Sequence, residues 1–227
     1  MTQLLSTKVL SPQQRALLPS GDFHLQEYDA LVTEYLPADL HSEDEALCLF
    51  TSKHAVQACF PDGYGGERML NCCCVGAKTA ALLQGLGHRV LEVQDSAKLL
   101  ADEILKKYSG RSFIFYCGDR RLDTLPQRLR AAGMRLEERV VYRTHLNVKK
   151  FDTKFDAVLF FSPSGVESFA AANDLSHSAA VCIGSTTAGA AREHTKRIIT
   201  AAFPSVEAVL TAAANLLKTT YDPNPEK

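Results

Sequence analysis

A chain of 227 residues can bury one large core, or two of about 100 residues, without disulfides or metals. Its 25 Lys+Arg against 26 Asp+Glu leave a net charge of −1, which excludes the basic footprint of a non-specific nucleic-acid binder. No apolar run approaches the roughly 20 residues of a membrane span, and Met1 to Val9 lack the basic start and apolar stretch of a secretory signal, so a cytoplasmic protein is expected.

In chain order, the first strand is expected to run toward Val9-Leu10-Ser11-Pro12. The stretch from Ser11 to Tyr28 is poor in apolar periodicity and predicts a short helix in an irregular segment. Apolar runs then predict strands at Ala46 to Phe50, Asn71 to Val75 and Arg89 to Val93, with helices from about Lys53, from about Lys78 to Gly85, and from Ala97 to Tyr108. Farther on, strands are expected at Ala157 to Phe161, Ala179 to Ile183 and Arg197 to Ala201, each followed by a helix. Continuous apolar strands alternating with helices imply parallel sheets covered on both faces. The tail Tyr221 to Lys227, with two prolines and mixed charge, reads as frayed.

An internal repeat organises these elements. Phe50-Thr51-Ser52-Lys53-His54-Ala55-Val56 matches Phe160-Phe161-Ser162-Pro163-Ser164-Gly165-Val166, and Cys74-Val75-Gly76-Ala77-Lys78-Thr79-Ala80 matches Cys182-Ile183-Gly184-Ser185-Thr186-Thr187-Ala188. Weaker pairs join Asp95 to Leu100 with Pro204 to Val209, and Val32 to Tyr35 with Arg139 to Tyr142. The order and nearly constant offset indicate an α/β chain made of two similar doubly wound parallel-sheet domains.

Cofactor chemistry finds little support. Cys72, Cys73 and Cys74 lie in one strand, so their side chains alternate and cannot converge on one zinc ion. Reduced, buried thiols are expected for all seven cysteines, and no metal site. Gly184 and Gly189 have the spacing of a phosphate-binding loop, but Ala190-Ala191 stands where Lys and Ser/Thr must follow. Gly63-Tyr64-Gly65-Gly66 falls in a loop beside Pro61 and Asp62, and no G-x-S-x-G elbow occurs. No cofactor is expected.

Ligands of open parallel sheets bind beyond the carboxyl ends of the strands. The repeated motifs are those turns: Thr51-Ser52, Gly76 to Thr79, Ser162 to Gly165 and Gly184 to Thr187. Hydroxyl and glycine residues at helix N-termini favour carboxylates or phosphates, through unpaired backbone N–H groups and the helix dipole. The alternative is that each is only an N-cap, worth about 1 kcal/mol.

Taken together, these motifs resemble the bacterial uroporphyrinogen-III synthase family. The resemblance is carried by Phe50-Thr51-Ser52 with Ala55-Val56, Val75-Gly76 through Thr79-Ala80, Val141-Tyr142, Phe161 to Glu167, Ile183-Gly184 through Thr187-Ala188, and Pro204 to Val209. It implies one discontinuous lobe, residues 1–30 plus 146–227, one continuous lobe, residues 37–138, and bridging strands at 31–36 and 139–145. It implies cyclisation of linear hydroxymethylbilane, bearing eight carboxylates, with inversion of ring D through a spiro intermediate and release of water. Holding the chain in the reactive conformation is then the main task.

By the same resemblance Tyr142 is the catalytic candidate, a phenol able to hydrogen-bond the departing hydroxyl. The expected substrate-binding residues are Thr51, Ser52, Lys53, Gly76, Thr79, Gly118, Ser162, Ser164, Gly165, Gly184, Thr186 and Thr187. His54, where the family often has Asn or Ser, and His145 are read as bystanders; Val9 to Pro12 lacks the Arg that many relatives place before that proline. The resemblance further implies a monomer that receives its substrate by transient hand-over from the preceding deaminase, with no nucleic-acid or membrane partner. A non-catalytic two-lobed binder of a polycarboxylate or tetrapyrrole would use the same turns. A response-regulator module would need an acidic cluster that is absent.

Overall fold

The computed structural model describes residues 1–38, 40, 46–64 and 69–220. The tail Tyr221 to Lys227 and the glycines Gly65 and Gly66 lie outside the described residues. The chain runs β1 (Thr2–Ser6), α1 (Pro12–Arg15), β2 (Phe23–Glu27), β3 (Leu31–Tyr35), β4 (Leu47–Phe50), α2 (Lys53–Cys59), β5 (Asn71–Val75), α3 (Ala77–Gly85), β6 (Arg89–Gln94) and α4 (Ala97–Lys107). It continues through β7 (Ser112–Gly118), α5 (Thr124–Ala131), β8 (Arg135–Leu146), β9 (Ala157–Phe160), α6 (Pro163–Ala170), β10 (Ala179–Cys182), α7 (Ser185–Ala191), β11 (Ile198–Thr200) and α8 (Val206–Thr220).

By contacts the chain divides into two units, Met1–Val32 with His145–Lys227, and Thr33–Thr144. The division passes through β3 and β8. The first unit holds a parallel five-stranded sheet, β11-β10-β9-β1-β2. The other sheet has the order β3-β8-β7-β4-β5-β6, and its pairs from β8 through β6 are parallel. The two orders correspond strand for strand: β9, β10 and β11 match β4, β5 and β6, while β1 and β2 match β7 and β8. Each sheet therefore takes three neighbouring strands from one copy of the repeat and its next two from the other.

Each unit has a core on both faces of its sheet, and the strand pleat sorts residues between them. Cys48 and Phe50 join one core of the second unit while Leu47 and Leu49 join the other. Val158 and Phe160 separate in the same way from Ala157 and Leu159. The three consecutive cysteines follow suit, with Cys72 and Cys74 on one face and Cys73 on the other. Helices pack through stripes at helical spacing, such as Leu100, Ala101 and Ile104 of α4 and Val209, Leu210, Ala213 and Leu217 of α8. Burying a side chain of this size contributes about 1.5–3 kcal/mol.

Besides β2, which forms in the segment expected to be irregular and pairs in parallel with β1, and α5, for which no helix was expected, two details differ from the sequence reading. The first strand stops at Ser6; Ser11 instead caps α1, its hydroxyl accepting from Gln14 N at 3.2 Å while Gln14 Oε1 accepts from Ser11 N at 3.0 Å. Pro12 fits there because the first helical turn needs no amide from it. The second is β7, a buried strand in a stretch outside the strands expected from the apolar runs.

Candidate active site

Strand-to-helix turns lie at the carboxyl ends of both parallel sheets. In the unit containing Thr33–Thr144, β4 delivers Thr51 and Ser52. Ser52 is the N-cap of α2, its hydroxyl accepting from His54 N at 3.1 Å, and Lys53 is exposed. After β5, Gly76 caps α3 with no side-chain hydrogen bond and with φ 85°, a conformation that favours glycine. Thr79, on the same turn, is buried, at 4% exposure.

In the other unit, Ser162 caps α6, its hydroxyl accepting from Gly165 N at 3.0 Å. Gly165 keeps that turn close to β1: a Cβ there would stand 3.3 Å from Ser162 Oγ and 3.5 Å from Thr7 Oγ1. Thr7 donates to Leu159 O at 2.7 Å. Gly184 caps α7, again without a side-chain bond, but its φ of −172° is ordinary extended backbone. Ser185 and Thr186 are exposed, Ser164 is half-buried, and Thr187 is buried at 1% exposure. The serine caps thus occupy one first-turn amide with their own hydroxyl, whereas the glycine caps leave that turn without a side-chain partner.

Tyr142 lies on β8, where the pairing with β7 shifts register between Cys117 and Gly118. Its side chain joins Thr51 and Ser52 in lining a cavity of about 300 Å³, with Val75, Ala97, Phe115, Arg121, Leu122 and Leu125. Gly118 is its partner in the sheet. The structure therefore brings Thr51, Ser52, Gly118 and Tyr142 together, while Lys53, Gly76 and Thr79 do not line this cavity.

Several neighbours were not expected as site residues. Arg121 brings a cation to the cavity, held by Glu138 and, at 2.9 Å, by Asp123. The hydrogen bond to Glu138 raises its pKa and keeps it charged. Arg130 shares Glu138 at 2.5 Å. His54, read as a bystander, has its ring centroid 5.7 Å from that of Tyr142, and its Nδ1 lies 3.0 Å from Tyr35 Oη. Tyr35 also donates to Gln57 Oε1 at 3.1 Å. The available signal was the repeat itself, since Tyr35 is the counterpart of Tyr142.

The thiols are poor nucleophiles. All seven cysteines are buried and reduced, and burial pushes Cys74, Cys117 and Cys182 up to about 11 and Cys73 up to about 12. Among the described residues no cluster of His, Cys, Asp and Glu is suited to a metal ion, and no helix is long and apolar enough to cross a membrane.

Duplicated parallel sheets with small hydroxyl and glycine turns at their carboxyl ends define an α/β protein of the doubly wound class. A family model described as uroporphyrinogen-III synthase HemD matches residues 17–211. The chain belongs to that family and is a lyase. Its fold is similar to that of uroporphyrinogen-III synthetase from Helicobacter pylori 26695, at 19% identity over 95% of this chain and 100% of that one, with a TM-score of 0.74. A mutant uroporphyrinogen III synthase from the extremely thermophilic bacterium Thermus thermophilus is similar at 18% identity over 96% and 100% of the two chains, with a TM-score of 0.58. No curated protein matches the chain by sequence.

Proposed function

We propose that Tyr142 serves the leaving group, and the duplicated turns hold the carboxylates, when this chain closes linear hydroxymethylbilane to uroporphyrinogen III. In that reaction the terminal hydroxyl leaves as water, taking up one proton, while pyrrole nitrogen electrons form an azafulvene. The substituted carbon of ring D attacks it; the spiro product fragments and closes again with ring D inverted. A phenol that hydrogen-bonds the departing oxygen lowers the barrier to the first step. Orientation supplies the rest, by keeping the chain from closing without inversion.

The observation that carries this reading is the placement of the Tyr142 phenol in a cavity with the hydroxyl-bearing turn Thr51-Ser52. Carboxylates would be received by the amides and hydroxyls of Thr51, Ser52, Gly76, Thr79, Ser162, Ser164, Gly165, Gly184, Thr186 and Thr187, with Lys53 supplying charge. Family membership favours an enzyme over a non-catalytic binder. The proposal includes a cytoplasmic monomer fed by the preceding deaminase, and it invokes no cofactor. Exhaustive chelation should leave turnover unchanged, and a loss restored by added metal would refute that part.

The test is Tyr142→Phe, assayed with the preceding deaminase by separating type I from type III porphyrin after oxidation. Type III formation should slow by about 100- to 10,000-fold, with the melting temperature nearly unchanged. An unaltered rate would reduce Tyr142 to a packing residue.

A further inference from the structure

The reason Gly118 is glycine lies in Tyr142. Glycine is commonly required where φ is positive, but Gly118 is not among the chain's positive-φ glycines. Space is the constraint: a Cβ built on Gly118 would lie 2.5 Å from Tyr142 Cε2 and 2.8 Å from its Oη, and closer still to Cζ. Carbon atoms pack at about 3.5–4.0 Å, so even alanine must displace the ring. Among the described residues, Gly165 and Gly118 are the two glycines at which an added Cβ meets another group within 4 Å.

The backbone is arranged to lay the ring there. β7 and β8 pair residue for residue from Ser112 with Arg135 to Cys117 with Val140, then Gly118 pairs with Tyr142, leaving Val141 as the extra residue of a bulge. Val141 turns into the core at 1% exposure while Val140 stays 46% exposed. Asp119 pins the bulge, its N donating to Tyr142 O at 3.1 Å and its Oδ1 accepting from Thr144 N at 3.0 Å. The ring of His54, tied to Tyr35, is the aromatic neighbour of Tyr142.

We propose that Gly118 is a positioning residue for Tyr142: its missing side chain sets where the phenol lies in the cavity shared with Thr51 and Ser52. The proposal rests on the reading of Tyr142 given above, and it assigns Gly118 a role through the tyrosine in place of a contact with substrate.

The experiment combines kinetics with fluorine NMR of protein labelled with 3-fluorotyrosine. The chain has seven tyrosines, and the resonance of Tyr142 is assigned by its loss in Tyr142→Phe. In Gly118→Ala that resonance should move while the others hold their positions. The kcat for type III formation should fall on the order of 100-fold, the effect of an ångström-scale misplacement, with a smaller change in KM. Because the obstructed ring is absent from Tyr142→Ala, adding Gly118→Ala to it should cost nothing further.

Full activity of Tyr142→Phe would sink the reading of Tyr142 and this proposal with it. An impaired Tyr142→Phe beside a Gly118→Ala of parental kcat, or with an unmoved Tyr142 resonance, would overturn the positioning role alone. So would a double variant slower than Tyr142→Ala, since Gly118 would then act on the substrate itself. If Gly118→Ala fails to fold, the double variant should fold because the clash is gone; its failure would also overturn the proposal.

Discussion

Gly76 and Gly184 occupy the same place in the repeat, cap corresponding helices and lack side-chain caps alike, yet their backbones differ. Gly76 has φ 85° and ψ 138°, whereas Gly184 has φ −172° and ψ 178°. In both, an added Cβ would meet nothing within 4 Å. Glycine at 76 is therefore required by conformation, whereas at 184 neither conformation nor the packing of the protein requires it. A side chain added at 184 would enter open space beside the first turn of α7.

Gly76→Val should produce the largest effect on this comparison. It should cost about 1–3 kcal/mol of stability from the disfavoured backbone, read as a lower denaturation midpoint, and should also raise KM. If its midpoint equals the parent's, the conformational argument for Gly76 fails. Gly184→Val should keep the parental midpoint and raise KM by about ten-fold, the worth of one hydrogen bond to a charged group. A destabilised but kinetically normal Gly184→Val would make that glycine structural after all.

Ser162→Ala tests the serine-capped turn in the same terms. Losing the cap should cost about 1 kcal/mol, with KM within about three-fold of the parent because the backbone amides remain. A larger KM effect than that of Gly184→Val, with both variants folded, would mean that side chains and not amides recognise the carboxylates.

The smallest effect concerns where the two helices end. Beyond α3 the chain buries His88, at 5% exposure, with Nδ1 accepting from Leu70 N at 3.4 Å; the corresponding residue beyond α7 is Thr195, which donates to Ser178 O at 2.9 Å. Burial lowers the His88 pKa, so protonation is resisted in the folded state. That contribution is present above the unfolded value of about 6.5 and is lost as pH falls through the folded value. Urea midpoints should decline below about pH 6.5, and the decline should be shallower in His88→Gln. Parallel profiles would clear His88.

Much of this architecture was legible in the sequence because the repeat falls on strand-to-helix turns, whose residue types are restricted by capping. Ser52 and Ser162 could be matched, and both are N-caps. β7 escaped because neither it nor its structural counterpart, β1, carries a motif matched across the repeat, although the two stand at the repeat's own spacing. Its composition, Phe113 to Cys117, is a continuous apolar run like those of the other buried strands, so the signal was present in the sequence. At the candidate site, the turns could be named from type and spacing, and Tyr142 from the family resemblance. The contact of Tyr142 with Gly118 could not, because it depends on one extra residue at Val141 that no local preference announces. Arg121 is brought in by tertiary structure alone, whereas Tyr35 was marked only by its match to Tyr142 in the repeat.

The burial of the thiols makes the chain its own reporter of opening. Six of the seven, Cys48, Cys59, Cys72, Cys73, Cys74 and Cys117, belong to one unit and Cys182 alone to the other. A thiol reagent reacts with each only after its surroundings part, so the stoichiometry of labelling distinguishes the units. An early phase consuming one equivalent would mark the unit that carries the chain's first strand as the weaker, and an early phase of six the other. A single phase of seven would mean that the two come apart as one cooperative body, without any engineered label having been introduced.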